Sequence, residues 1–292
     1  MTEVRLREPT ADEAPAIQVL TRADIPFCVA QTAREGWSST AGDFAAHLAH
    51  DPAGCLLATV RGERAAMVTT TRYRATGWIG NLIVAPGHRG RGLGSLLMEK
   101  AISALESGGV ETVRLEADPP GVNIYRRLSF VDEYDSPRFR LAAPAPGGTP
   151  RSAALAAGDL PALASFDAQC FGDDRSRLLA LLLAAARAAF RVPARGALAG
   201  YLMVLEGARG LRVGPWVADE PEAARELLSA AVAGAAGRVV TLAVPGPNRA
   251  ARELLCDAGF RETPSSLRMV RGPAQGDGRP EAVYALANGA VG

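Results

Sequence analysis

Short apolar runs with β-branched residues recur along the first half of the chain, and turn residues separate them. Cys55–Val60, Ala65–Tyr73, Ile79–Val84 and Thr112–Ala117 read as strands. Arg61-Gly62-Glu63-Arg64 and Ala75-Thr76-Gly77 are the turns between the first three, which predicts an antiparallel meander. Elsewhere the apolar spacing lengthens to three and four residues. Leu93, Leu96, Leu97, Ala101 and Leu105 form one stripe of a helix over Gly94–Ser107, stopped by Gly108-Gly109. Ala14, Ile17 and Leu20 form another, with Thr10 as its cap and Glu13 three residues on, so Thr10–Leu20 is predicted as a helix after a short strand at Val4–Arg7. Ile25–His50 is helical with a break at Gly36-Trp37-Ser38-Ser39. Val122–Leu128 is a short helix, and Phe130–Leu141 holds the last strand of this half.

The same order returns more faintly further on. Tyr201–Glu206 and Leu211–Val217 read as strands, Pro221–Ala233 as a helix, Val239–Val244 as a strand and Arg249–Cys256 as a helix. Gly259-Phe260 then aligns with Ser129-Phe130 at an offset of 130 residues, the mark of a duplicated unit. Between the copies, Ala143–Pro150 is Pro- and Gly-rich without apolar periodicity, hence a linker. The division is residues 1–143, a linker over 144–150, and residues 151–292.

Composition narrows the class. Hydrophobic residues make up 48% of the chain and charged ones 22%, enough apolar surface for two cores of ordinary size. A net charge of +1 gives no electrostatic case for nucleic acid or an anionic membrane. No run is long enough for a transmembrane helix, and the N-terminus is too polar for a signal peptide. Cys28, Cys55, Cys170 and Cys256 are widely spaced, which reads as reduced thiols in a cytoplasmic protein, and the Ala/Arg/Gly bias fits a GC-rich bacterial source. His47 and His50 share a helix face, but no third ligand is near in sequence, so no metal is expected.

The chemistry concentrates after Ile79–Val84. Pro86-Gly87 ends that strand, and Arg89, Gly90, Arg91, Gly92, Leu93, Gly94 and Ser95 lead into a helix. Glycines let backbone N–H groups close on an anion, the helix N-terminus adds partial positive charge, and two arginines add full charge. The expected ligand is a phosphate or pyrophosphate; glycines placed only for tight packing are the bland alternative. A P-loop would need Gly-Lys-Ser/Thr, which is absent. A dinucleotide fingerprint would need Gly where Ser95 stands; Glu116 can imitate its ribose-binding acid, but a hairpin and not a βα unit precedes the turn.

Arg89-x-x-Gly92-x-Gly94 after a strand resembles the pyrophosphate loop of the GNAT superfamily of N-acetyltransferases. With the order β-α-α-β-β-β-α-β-α-β, the resemblance covers about residues 1–142. Asn248-x-x-Ala251-x-x-Leu254-Leu255 ahead of Gly259-Phe260 resembles a second GNAT segment, but Ala218-Asp219-Glu220-Pro221-Glu222 replaces the loop and Leu255 stands where the first copy has Tyr125. The whole resembles tandem GNAT acetyltransferases with an intact first unit and a degenerate second. The implied fold class is α+β: two tandem units, each a mostly antiparallel mixed sheet flanked by helices.

The resemblance implies acetyl-CoA as co-substrate and direct transfer of the acetyl group to a primary amine of a small molecule. It implies that Leu82, Ile83 and Val84 pair with the pantetheine and polarise the thioester carbonyl, and that Arg89–Ser95 hold the pyrophosphate. It makes Tyr125, five residues before Phe130, the general acid for the thiolate, and Glu116 the base acting through water, unless a proton wire serves instead. Asp118 falls where the family often has a CoA-binding Asn. Phe27, Trp37 and Asp174 are candidates for the acceptor side, Asp174 with Asp167, Phe171, Asp173 and Arg175 in one polar helix–loop. A monomer or homodimer is expected. The competing reading is a non-catalytic acyl-CoA-binding or regulatory module. A third, a tandem synthase that acylates an amino-sugar thiol precursor, fits less well, because its acting half is the C-terminal one.

Overall fold

In a computed structural model, the structure describes residues 14–142, 144, 152–194, 197–235, 237–273 and 278–292. The elements run β1 (Ala16–Val19), α1 (Ile25–Arg34), α2 (Ala41–His50), β2 (Leu56–Val60), β3 (Glu63–Arg72), β4 (Thr76–Val84), α3 (Leu93–Ser107), β5 (Thr112–Ala117), α4 (Val122–Arg127) and β6 (Val131–Leu141) in the first half. The second half has β7 (Ala153–Ala154), α5 (Leu160–Phe171), α6 (Ser176–Ala185), β8 (Ala188–Ala194), β9 (Ala197–Gly207), β10 (Gly210–Ala218), α7 (Pro221–Ala233), β11 (Val240–Ala243), α8 (Arg249–Asp257), β12 (Arg261–Arg271) and β13 (Val283–Ala285).

The element order expected of the first half is present, but its beginning is shifted. Ala16–Val19, predicted as the end of a helix, is a strand that pairs antiparallel with β2. Ile17 and Val19 are β-branched, and the free edge of β2 offers them a ladder that overrides the helical spacing of Ala14, Ile17 and Leu20. The strand predicted at Val4–Arg7 and most of the linker lie outside the described residues. The meander of β2, β3 and β4 is antiparallel, and β5 runs parallel to β4 across α3, as the pattern requires.

What periodicity does not reveal is how the halves join. Twelve strands form one sheet in the order β1-β2-β3-β4-β5-β12-β6-β11-β10-β9-β8-β7, with β13 attached to β10. β12, from the second half, lies between β5 and β6 of the first; β6 lies between β12 and β11 of the second. Each half thus lends a strand to the other, β6 from the first and β12 from the second. One face of the central strands is apolar: Val113, Leu115, Ala117 and Met269 pack with Leu97, Ala101 and Leu105 of α3. The opposite face carries Glu116 on β5 with Asp118 just past its end, Ser266 and Arg268 on β12, and Ser136 and Arg138 on β6.

The first helices of the second half fasten onto the first. Asp173 accepts hydrogen bonds from the N–H groups of Ala75 and Thr76 and from Thr76 Oγ1. Arg175 is buried in a bidentate pair with Asp167, which also accepts from Tyr201 Oη. Phe171 packs against Tyr73 and Trp78.

Candidate functional site

The site begins where β4 leaves β5. Their parallel pairing covers Thr76↔Thr112, Gly77↔Val113 and Trp78↔Arg114 and goes no further. The register of β4 against β3 breaks between Gly80 and Ile83. Between them Asn81 takes φ 52°, a left-handed conformation inside a strand. This bulge turns Leu82–Val84 away from β5 and opens a wedge along that edge of β4. Leu82 and Val84 are half-buried there, while Ile83 faces the core under α1 and α2. Asn81 was absent from the expected site. Its signal was a single polar residue in an otherwise apolar run.

Beyond Val84 the chain turns through Pro86–His88 and reaches α3 by way of Gly90 (φ 76°) and Gly92 (φ 77°). A Cβ built at either glycine meets nothing within 4 Å. Packing therefore does not demand these glycines; the backbone turn does. Gly92 is the N-cap of α3, and no side chain caps that terminus, so the helix presents its first N–H groups to whatever lies in the turn. Leu93 anchors the helix in the core, and Gly94 and Ser95 are half-buried in its first turn. Arg89 donates from Nε to Val84 O at 2.9 Å and is paired through Nη2 with Glu35, at the end of α1. Arg91 is exposed.

Tyr125 lies in α4, edge-on to Phe130 with ring centroids 6.1 Å apart. Burial, and then the negative charge of Asp118, push its phenol up to about 12. The hydroxyl therefore keeps its proton through the physiological range and is available as a donor.

Glu116 faces away from Leu115 and Ala117, as its place in the strand requires, but it is not a free carboxylate. It accepts from Ser136 Oγ at 3.0 Å, Ser266 Oγ at 2.7 Å and Arg268 Nε at 2.9 Å, and its side chain is 2% exposed. Arg268 also donates to Tyr134 Oη and is sandwiched between the rings of Trp78 and Tyr134. Both carboxylate oxygens are thus already engaged by a guanidinium and two hydroxyls. Glu116 thereby ties β5 to β6 and β12. The missed members, Ser266 and Arg268, come from the other half of the chain; the repeat Ser136-x-Arg138 and Ser266-x-Arg268, at the offset of 130, was their sequence signal.

Asp118 is likewise engaged. Trp37 Nε1 donates to it at 2.9 Å and Arg138 Nη2 at 2.7 Å. It ties the loop between α1 and α2 across the end of β5 and is no free ligand for CoA. Trp37 is thereby held beside Asp118, whereas Phe27 packs into the core formed by Cys28, Phe44, Leu57, Met67 and Ile83. Asp174 sits elsewhere. Its Oδ1 accepts from Ser176 N at 2.8 Å just ahead of α6, and it lines a cleft of about 240 Å³ with His50, Asp51 and Arg74, at the end of β4 opposite the glycine turn. Asp173 fastens the second half to Ala75 and Thr76 of the first, while Asp167 and Arg175 pair with each other inside the second half, with Tyr201 Oη and Gly292 O as further partners. His47 and His50 have separate partners, Asn81 and Arg72 O, and among the described residues no group of three or more His, Cys, Asp or Glu is placed to hold a metal.

The tail of the second half completes the wall. Trp78 Nε1 donates to Gly289 O at 3.1 Å, and Ala290 lies on Gly80 so closely that a Cβ there would come within 2.3 Å of its own Cβ. A side chain at position 80 would displace the tail from the point where β4 and β5 part.

Comparison with known proteins agrees with this geometry. Residues 24–130 match the acetyltransferase (GNAT) family and residues 163–285 match an acetyltransferase (GNAT) domain. The chain belongs to the GNAT superfamily, with one unit in each half. An uncharacterized N-acetyltransferase, ycf52, of Gracilaria tenuistipitata var. liui is 37% identical over 65 residues, which are 22% of this chain and 35% of that protein. The chain thus matches about a third of the length of that curated relative. Over its whole length the fold resembles a putative acetyltransferase of Pyrococcus horikoshii, with a TM-score of 0.81 at 25% identity, covering 100% of this chain and 99% of the other. A tandem GNAT protein from the clavulanic acid biosynthesis pathway shares the fold at a TM-score of 0.62 and 15% identity, covering 90% of this chain and 100% of that one. No described helix is long and apolar enough to cross a membrane.

Proposed function

We propose that the chain transfers the acetyl group of acetyl-CoA directly to a primary amine of a small molecule, and that the N-terminal unit, residues 1–143 completed by β12, does so. The observation that carries this reading is the bulge at Asn81. It opens the edge of β4 onto a turn of two left-handed glycines and an uncapped helix N-terminus.

The residues fit the cofactor. The first N–H groups of α3, with Arg89 and Arg91, would hold its pyrophosphate, and the N–H groups of Leu82–Val84 would meet its pantetheine and the thioester carbonyl. Acetyl-CoA supplies an activated acyl group on a thiolate leaving group. Donors aimed at a carbonyl oxygen that gains charge lower the barrier most when they are fixed beforehand. Tyr125 gives its proton to the departing sulfur. Glu116 fixes Arg268, and with it the wall formed by Trp78 and Tyr134. The amine proton leaves by a water chain, since the nearest carboxylates, Glu116 and Asp118, are both engaged.

Isothermal titration of the full chain with acetyl-CoA, followed by a thiol-release assay over an amine panel, tests this. One equivalent bound and amine-dependent thiol release are expected. Binding without release on any amine, including a metabolite extract supplied with labelled acetyl-CoA, supports the non-catalytic acyl-CoA-binding module instead. No binding removes both.

A further inference from the structure

The bulge that opens the wedge needs something to hold it. A left-handed residue inside a strand breaks the ladder there and persists where its surroundings hold it. Here the surroundings are a closed set of buried polar groups between α2 and the sheet. Asn81 is 8% exposed, His47 4%, Thr69 0% and Thr71 1%. Asn81 Nδ2 lies 2.9 Å from Thr69 Oγ1 and 3.3 Å from His47 Nε2. Thr69 Oγ1 donates to Gly80 O at 3.2 Å, and Thr71 Oγ1 is 3.5 Å from His47 Nδ1.

With the Thr69 hydroxyl donating to Gly80 O, the hydrogens of the rest of the set follow. The single Thr69 hydroxyl proton is spent on Gly80 O, so toward Asn81 that oxygen can only accept. Asn81 must therefore turn its NH₂ group, and not its carbonyl, to Thr69 and His47. His47 Nε2 then has to be the bare, accepting nitrogen, with the proton on Nδ1 toward Thr71. Burial drives the imidazole down to about 4, so the neutral form this requires is the resting one. No group of the pyrophosphate turn, and neither Tyr125 nor Glu116, takes part.

We infer that His47 is a positioning residue of the transferase site: its Nε2, by accepting from Asn81 Nδ2, fixes the left-handed bulge of β4 and so aims the Leu82–Val84 N–H groups at the thioester carbonyl. The inference rests on the acetyl-CoA reading above and adds to it the device that holds the donors in place. The same helix carries Phe44 into the core over Ile83; α2 therefore bears on β4 both by packing and by this hydrogen bond.

The test uses the full chain and acetyl-CoA labelled with ¹³C at the carbonyl, read by difference infrared spectroscopy. Hydrogen bonds to the carbonyl lower its stretching frequency. Wild-type protein should show the bound band below that of free acetyl-CoA. In His47→Leu, acetyl-CoA still binds through the untouched glycine turn, but the downshift is lost or the band broadens. In His47→Gln the side-chain oxygen takes the place of Nε2 and restores the downshift. Asn81→Gly, which accepts φ 52° without strain but has no amide, should resemble His47→Leu, and it carries the test alone if the leucine variant does not fold. An undiminished downshift in His47→Leu or in Asn81→Gly overturns the inference, as does its loss in the leucine and glutamine variants alike. If wild-type protein fails to bind acetyl-CoA at all, the functional reading itself fails, a different and separately visible result.

Discussion

β4 and β10 hold equivalent places in the two halves. Each has an antiparallel neighbour on one side, β3 or β9, and on the other a parallel neighbour, β5 or β11, that stays with it for only a few residues. Each has a register break midway, between Gly80 and Ile83 in β4 and between Val213 and Trp216 in β10. Beyond the break they differ. The edge of β4 runs free to the glycine turn. The edge of β10 is occupied by β13, which pairs Trp216↔Ala285 and Val217↔Val283 with a register shift between them, and Leu286 N then donates to Ala243 O of β11 at 2.9 Å. The chain's own tail fills the second wedge. Past it, Asp219 and Glu220 precede α7, and Glu222 lies in the first turn of that helix. On the proposed function, two features set this place apart from the acyl-CoA slot of the first half, an acidic turn and a wedge occupied by β13. Repairing the turn alone would leave no room for the ligand.

The most severe way to break this contrast is to put an acid in the surviving turn. Gly92→Glu places a carboxylate at the N-terminus of α3 and a Cβ where φ is 77°. Acetyl-CoA binding by titration should fall from one equivalent to none. A wild-type stoichiometry of two, or a second CoA against β10 in a soaked crystal, would show that β13 does not close the second wedge.

The two Ser-x-Arg repeats compare the halves in another way, because both arginines pair with carboxylates of β5. Arg268, from the second half, is 9% exposed opposite Glu116 at 2%; Arg138, from the first, is 37% exposed opposite Asp118 at 29%. Removing one partner of a buried pair strands a charge and costs about 3–5 kcal/mol. The exposed pair, screened by solvent, is worth about 1 kcal/mol or less. Arg268→Met should therefore lower the denaturant midpoint far more than Arg138→Met. Equal effects would mean that the lent strand is not what locks the halves.

Tyr125 is the next largest contrast, since its counterpart is Leu255. Tyr125→Phe should cut turnover about a hundredfold with acetyl-CoA affinity nearly unchanged, because the hydroxyl acts only as the thiolate forms. The sign of its shift predicts the pH profile. A phenol raised to about 12 stays protonated as pH climbs, so no tyrosine-dependent fall in rate should appear up to about pH 10. A basic limb well below that, present in wild type and lost in the Phe variant, would contradict the burial that raises it.

The sequence made the local features legible: the meander, the glycine turn, α3 and the position of Tyr125 all follow from spacing within one stretch of chain. It did not reveal what depends on distant pairing. That β12 crosses into the first half, that Glu116 meets Arg268, and that β13 closes the second wedge are contacts made by residues 66 to 158 positions apart, and no periodicity encodes them. Ile17 misled for a related reason, since a strand edge contributed by Leu57 and Ala58 decided its conformation. The polar cluster around Asp167 shows the same limit: sequence places Asp167, Asp173 and Arg175 together, but not that Asp167 pairs with Arg175 and Tyr201 while Asp173 reaches Ala75 and Thr76 of the first half.

The smallest expected effect concerns restoring the missing phenol. Leu255 is fully buried, packed in the core of the second half with Ala251, Val244 and Phe260; Tyr125 is only partly buried at the same place in the first. Leu255→Tyr therefore adds a ring and a hydroxyl to a filled core and not to a cleft. Overpacking of this kind costs about 1–3 kcal/mol, and the hydroxyl would need a partner among apolar neighbours. The variant should unfold at lower denaturant, bind acetyl-CoA with wild-type stoichiometry and gain no second activity. If it proved as stable as the wild type, with the new phenol titrating near its ordinary value, position 255 would have access to solvent, and the second half would retain a cleft that β13 does not fill.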